Sequence, residues 1–162
     1  MKKIAVFVDV QNIYYTVKEA YDCHFNYRAL WQQLSEEGVI IIANAYAIER
    51  NDSQQQSFQQ ILRRIGFDIK LKPYIQRSDG SAKGDWDVGL TIDVMDAVAS
   101  SQQDVDQVVL LSGDGDFDLL LKRVNQGYGV DTLVYGVESL TAASLIDAAV
   151  QYRPIKAQLL LC

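Results

Sequence analysis

The stretch LLSGDGDFDLLL, from Leu110 to Leu121, sets three carboxylates, Asp114, Asp116 and Asp118, between two apolar runs. Like charges a few ångströms apart raise one another's pKa. A chain that pins them between buried elements is either capping helices with them or neutralising them with a cation. Other acids stand in comparable places. Asp9 closes the apolar N-terminal run KKIAVFVDV, and Asp85 and Asp87 lie together in KGDWDV. Oxygen ligands without imidazole or thiolate select hard cations, Mg2+ or Mn2+, over zinc. His24 is the one histidine of the chain, so a histidine general base is not expected. Carboxylates around a hard cation suit displacement at phosphorus, where the ion acidifies water and neutralises the leaving oxygen.

These acids act together only if the elements carrying them end at one place. KKIAVFVDV is apolar and β-branched without clean alternation, the pattern of a strand buried on both faces of a parallel sheet. GVIIIANAY (Gly38–Tyr46), FDIKLKPY (Phe67–Tyr74), DQVVLLSGD (Asp106–Asp114) and VDTLVYG (Val130–Gly136) read as further strands. The alternation in DIKLK places that strand nearer an edge. Helical patterns lie between them. One falls within Gln11–Ala20 and another over NYRALWQQLSEEG. In QQQSFQQILRRIG, Ser53 is the expected cap, Phe58, Ile61, Leu62 and Ile65 form the stripe, and Gly66 is the stop. DVGLTIDVMDAVAS places Val88, Ile92, Met95 and Ala99 on one apolar face. DFDLLLKRVNQGYG does the same with Phe117, Leu120, Leu121 and Val124, and SLTAASLIDAAV is a further short helix.

Strand–helix alternation predicts an α/β fold of a single domain over residues 1–162: three-layer, Rossmann-like, with a mainly parallel central sheet of five or six strands and helices on both faces. Ligands of such sheets bind outside the carboxyl ends of the strands. Asp9, Asp85, Asp87, Asp114 and Asp116 all fall on that edge, and Asn12, in the first turn after Asp9, reaches the same point. Taken singly, each of these acids is as well explained as a helix cap or dipole partner. Capping does not explain their shared location. Asp118 points elsewhere on its helix, and Asp93, in mid-helix, is either a supporting group or merely exposed.

Three other uses of clustered aspartates fail on spacing. A calcium-binding EF-hand loop opening at Asp114 needs glycine and glutamate where Leu119 and Asn125 stand. Haloacid-dehalogenase-type phosphatases need D-x-D after the first strand, and the chain has Asp9-Val10-Gln11. A receiver domain needs an aspartate pair there and a lysine after its last strand. Neither a Walker-A loop nor a GxGxxG turn occurs.

The 162 residues are 49% apolar and 22% charged, the balance of a globular chain with a normal core. The net charge of −6 argues against a protein that coats DNA through a broad basic surface; it does not exclude a nuclease, because an acidic metal site itself contributes to that balance. No apolar run reaches the length of a membrane span, and the N-terminus lacks the features of a signal peptide. Cys23 and Cys162 lie far apart and match neither a disulfide framework nor a zinc spacing, so reduced thiols in a cytoplasmic protein are expected.

VFVDVQNIYY resembles the strand and D-x-x-N opening of the NYN domain family. KGDWDVGLTIDVMDAV resembles its central K-G-x-D-V-x-L-x-x-D segment. LLSGDGDFDLLLKRVNQGYGVDTLVYG resembles its S-G-D-x-D-F-x-x-L strand and helix, followed by a glycine-led strand. The motifs fall in the family's order, span about residues 1–150, and are most similar to the LabA-like subgroup of the PIN-like nuclease superfamily. The resemblance implies a PIN-like fold and a metal-dependent ribonuclease site. Carried over by position, it implies that Asp9, Asp87, Asp114 and Asp116 hold Mg2+ or Mn2+. Asn12 would then orient Asp9 or a bound water, Asp85 would be a further ligand, Asp93 would support the site from its helix, and Ser112 would stabilise the turn at the strand end.

Lys70, Lys72, Arg77 and Lys83 flank or lie within the long irregular stretch Pro73–Trp86, interleaved with Tyr74 and Trp86. Cations for phosphate and rings for bases make a track for single-stranded RNA, and a solvated strand face with a buried tryptophan accounts for the same residues. Two classes of function follow. One is a metal-dependent endoribonuclease. The other is a regulatory module that binds RNA or protein on the same fold without turnover. A homodimer is compatible with either, and no membrane partner is expected.

Overall fold

The computed structural model describes residues 1–49, 52–73, 75–76, 82–83 and 85–162. Its elements follow in the order β1 (Lys3–Asp9), α1 (Val10–Tyr21), β2 (His24–Phe25), α2 (Tyr27–Glu37), β3 (Val39–Glu49), α3 (Ser53–Ile65), β4 (Asp68–Pro73), β5 (Ile75–Gln76), β6 (Ala82–Lys83), α4 (Asp87–Ala99), β7 (Gln107–Leu111), α5 (Asp118–Lys122), β8 (Asp131–Gly136), α6 (Ala143–Ala148), β9 (Gln151–Pro154) and β10 (Leu160–Leu161). Six strands form the central sheet in the order β4-β3-β1-β7-β8-β9. Every pairing in it is parallel. The α/β, Rossmann-like expectation is met.

β1 shows why the sheet has two covered faces. Ile4, Val6 and Val8 pack with Ile13 and Val17 of α1, Leu30 and Leu34 of α2 and Leu62 of α3. Ala5 and Phe7 point the other way, into Leu90 and Val94 of α4, Leu121 of α5 and Leu145 of α6. All five strand residues are fully buried. Burial of each large side chain among them contributes about 1.5–3 kcal/mol, which makes β1 the axis of both cores.

From β1 the chain moves outward to β3 and β4, then returns to the far side of β1 to build β7, β8 and β9. The order reverses between β1 and β7. At such a reversal the connections leave for opposite faces and a crevice opens at the carboxyl edge. Asp9 and Asp114 stand on either side of it.

Several local sequence expectations change. Asp52, not Ser53, caps α3, its Oδ1 accepting from the Gln55 amide at 2.7 Å. In α4 the buried stripe is Leu90, Val94 and Ala97, while Val88 and Ile92 are 70% and 53% exposed. The helix is apolar nearly all round, so periodicity could not choose its inner face. The sheet has six strands, within the expected five or six; the sixth, β9, has no buried residue and no apolar run that would announce it. The expected free thiols are joined: Cys23 and Cys162 form a disulfide across 139 residues of sequence. The antiparallel pair β2–β10 brings their Cα atoms to 4.6 Å. A contact made by tertiary pairing leaves no mark in cysteine spacing. No helix among the described residues is long and apolar enough to cross a membrane.

Candidate metal centre at the carboxyl edge of the sheet

Each acid of the edge is placed by its own element. Asp9 ends β1 and caps α1, its Oδ1 accepting from the Asn12 amide at 3.4 Å. The fully buried Ser112 follows β7. Its hydroxyl donates to Asp9 Oδ2 at 3.1 Å and accepts from the Asp114 amide at 3.1 Å, so one oxygen ties the two strand ends together. The Asn12 side chain makes a second tie: its Oδ1 accepts from the Gly113 amide at 2.8 Å. Position 113 has no room for a side chain, because a Cβ there would lie 2.6 Å from the Leu140 carbonyl oxygen. Asp87 opens α4, where the helix dipole favours a carboxylate.

Carboxylate oxygens of Asp9, Asp87 and Asp114 all lie within 4.8 Å of one another. Asp116 stands apart. It is exposed, and it meets the site through its amide, which donates to Asp114 Oδ1 at 2.9 Å. The structure therefore brings together three of the four expected ligands, and the tight turn into α5 carries the fourth carboxylate outward. Asp85 is exposed beside them, its Oδ1 accepting from the Asp87 amide at 3.2 Å. Asp93 turns to β3, where its Oδ2 accepts from the Tyr46 hydroxyl at 2.7 Å.

The electrostatics are those of uncompensated anions. Burial pushes Asp9 up to about 6; the Asn12 amide and Ser112 hydroxyl oppose the rise, and the charges of Asp114 and Asp85 add to it. Burial also leads at Asp87, which is pushed up to about 7 with the charges of Asp114 and Asp85 reinforcing it. A divalent cation bound between them would oppose both shifts. At Mg2+–oxygen distances of about 2.1 Å, no two ligand oxygens of one ion stand more than about 4.2 Å apart, so the three acids would draw together around it. The donor set, all oxygen and all anionic, fits a hard cation. Asp9, Asp87 and Asp114 are the residues that would hold it.

Beside the start of α4, Lys72 donates to the Asp85 carbonyl at 3.1 Å and lies 4.9 Å from the centroid of the Trp86 ring. Lys70 pairs with Asp68 at 3.7 Å. The Trp86 indole is half-buried: Nε1 donates to the Ala47 carbonyl at 2.8 Å and the ring meets Tyr46 edge-on at 5.4 Å. Much of the expected stacking surface is thus used in packing. Arg77 and Tyr74 lie outside the described residues, as does the side chain of Lys83.

Two residues near the site were not foreseen. Tyr46 pairs in register with Asp9 and anchors Asp93. Its signal was a hydroxyl-bearing ring in the carboxyl half of a buried strand. Gly89 underlies Trp86, and a glycine inside a helical pattern already suggests a close approach.

Residues 3–156 match the model of the NYN domain. The chain is 24% identical over 158 residues to the low amplitude and bright protein LabA of Synechococcus elongatus, an alignment covering 93% of this chain and 82% of LabA. A crystal structure of a protein of unknown function from Vibrio parahaemolyticus superposes with a TM-score of 0.91 at 51% identity, covering 99% of this chain and 96% of that one.

Proposed function

Because the chain belongs to the NYN domain family, we propose that it is a metal-dependent endoribonuclease that hydrolyses phosphodiester bonds in single-stranded RNA. The observation that carries this reading is the approach of Asp9, Asp87 and Asp114 to within 4.8 Å at the sheet reversal. Mg2+ or Mn2+ bound there would supply Lewis acidity to the phosphate and its attacking water. The protein's part is to hold and aim the ligands. Ser112 and the Asn12 amide occupy both oxygens of Asp9, leaving it one orientation toward the crevice. The Asp116 amide holds one oxygen of Asp114, Oδ1, and the carboxylate of Asp116 contributes negative charge at the rim. Asp85 adds a further anion at the start of α4. Asp93 keeps α4 against β3 through Tyr46. Lys83 and Arg77 are assigned to phosphate contacts, and Trp86 to support of the site with its remaining exposed edge toward substrate.

The test is incubation of single-stranded RNA with the protein and Mn2+, beside Asp114→Asn. Cleavage that needs the metal and disappears in the variant supports the enzyme. RNA retained by both proteins without cleavage overturns it in favour of a binding module. A parallel incubation with single-stranded DNA decides which nucleic acid is cut.

A further inference from the structure

α1, α2 and α3 each begin with a side-chain cap, from Asp9, Asn26 and Asp52. α4 does not. Its N-cap residue, Trp86, makes no side-chain cap hydrogen bond; the Asp87 amide is bonded instead by Asp85 Oδ1, one residue further out, at 3.2 Å, and this helix start must deliver Asp87 to the acid cluster. We propose that Trp86, seated on Gly89 and fastened to the backbone of β3, is a positioning residue that holds the Asp87 carboxylate in place opposite Asp9 and Asp114. The inference rests on the metal-site reading of those three acids.

The attachment has four parts. The indole N–H reaches the Ala47 carbonyl at 2.8 Å, a bond between residues 39 apart in sequence. The ring meets, edge-on, Tyr46, the residue whose hydroxyl holds Asp93 on the same helix. α4 is thereby tied to β3 at two points, through Trp86 and through Asp93. Tyr46 is the register partner of Asp9, so both ties end beside the strand position that carries the first ligand. Third, Gly89 gives the indole its seat: a Cβ there would lie 2.6 Å from Trp86 Cε3 and 2.8 Å from Cζ3. Glycine inside a helix costs about 1 kcal/mol relative to alanine, a cost explained here by the close approach it permits. Fourth, Lys72 lies over the ring and bonds the Asp85 carbonyl, joining β4 to the segment just before Asp87. A ligand carboxylate held to about 0.5 Å needs support of this kind.

Gly89→Ala separates positioning from general stability. Alanine improves helix propensity, so a role confined to helix stability leaves metal binding intact in this variant. A positioning role makes it fail, because the methyl group displaces the indole. Trp86→Phe keeps an aromatic ring and removes the bond to Ala47. Val88→Ala, on the exposed side of the same turn, is the control. Calorimetric titration with MnCl2 is expected to show at least a tenfold loss of affinity in Gly89→Ala and Trp86→Phe and none in Val88→Ala, the range seen when outer partners of metal ligands are removed. Amide exchange is expected to speed up in the first turn of α4, at Leu90 above all, whose N–H bonds the Trp86 carbonyl at 2.7 Å. Affinities within twofold of the parent in both variants overturn the proposal. If the parent protein binds no Mn2+, the metal reading falls by itself and exchange decides: acceleration confined to the first turn of α4 supports positioning, and an unchanged pattern overturns it.

Discussion

Asp9→Asn should make the metal-free protein more stable at neutral pH. Asp9 has its folded pKa raised from 3.8 to about 6, with burial as the main cause. The folded state therefore binds the proton more tightly than the unfolded state, and stability is lost as pH rises from the unfolded value through the folded one. A shift of about 2.2 units corresponds to about 3 kcal/mol, fully felt above pH 7 and largely absent below pH 4. Lowering the pH from 7.5 to 5 recovers about 1.4 kcal/mol of it by the same linkage. Asparagine is neutral at every pH and keeps one oxygen for the Asn12 amide or the Ser112 hydroxyl. Allowing about 1 kcal/mol for the hydrogen bond that is degraded, the gain at pH 7.5 is about 1–2 kcal/mol, or roughly 2–8 °C in Tm for a chain of this size. The assay is thermal unfolding followed by circular dichroism in EDTA at pH 5 and 7.5, repeated at pH 7.5 with Mn2+. The parent should melt below Asp9→Asn in EDTA at pH 7.5, with the gap narrowing at pH 5. Mn2+ should raise the parent's Tm and leave the variant's nearly unchanged. A variant that melts below the parent at pH 7.5 in EDTA would refute the reasoning, because it would mean that the Asp9 carboxylate is already compensated without an ion.

Three further outcomes follow from the same geometry. Ser112→Ala removes the hydroxyl shared by Asp9 and the Asp114 amide; it should cost about 1–3 kcal/mol in urea unfolding and move the pH dependence of Mn2+ binding to higher pH, since that hydrogen bond holds the Asp9 pKa down. Gly113→Ala places a methyl group against the Leu140 carbonyl and should destabilise by about 1–3 kcal/mol while separating the two strand ends, read as a lower urea midpoint together with weaker Mn2+ binding. Reduction of the Cys23–Cys162 disulfide opens a loop of 139 residues and should lower stability by up to about 5 kcal/mol on chain entropy alone, measured by urea unfolding with and without dithiothreitol; an unchanged midpoint would show that β2–β10 pairing holds the tail without the bond.

Local pattern determined a good deal of this protein. The unbroken apolar run before Asp9 meant a strand covered on both faces, and such a strand in a parallel sheet must end where ligands bind. The same reasoning placed Asp114, and the stripe Phe117, Leu120, Leu121 and Val124 is buried as its spacing requires. Periodicity and strand ends are properties of neighbouring residues, so they can be read along one dimension. What needed the third dimension was the choice among near-equivalent groups. Asp85 and Asp87 are two residues apart, as are Asp114 and Asp116, and only the turn geometry at each helix start decides which carboxylate of a pair faces inward. The face that α4 buries, the seat of Trp86 on Gly89 and the disulfide between Cys23 and Cys162 were hidden for one further reason: each is fixed by a contact between segments that the sheet order brings together, and such contacts leave no periodic trace in the chain.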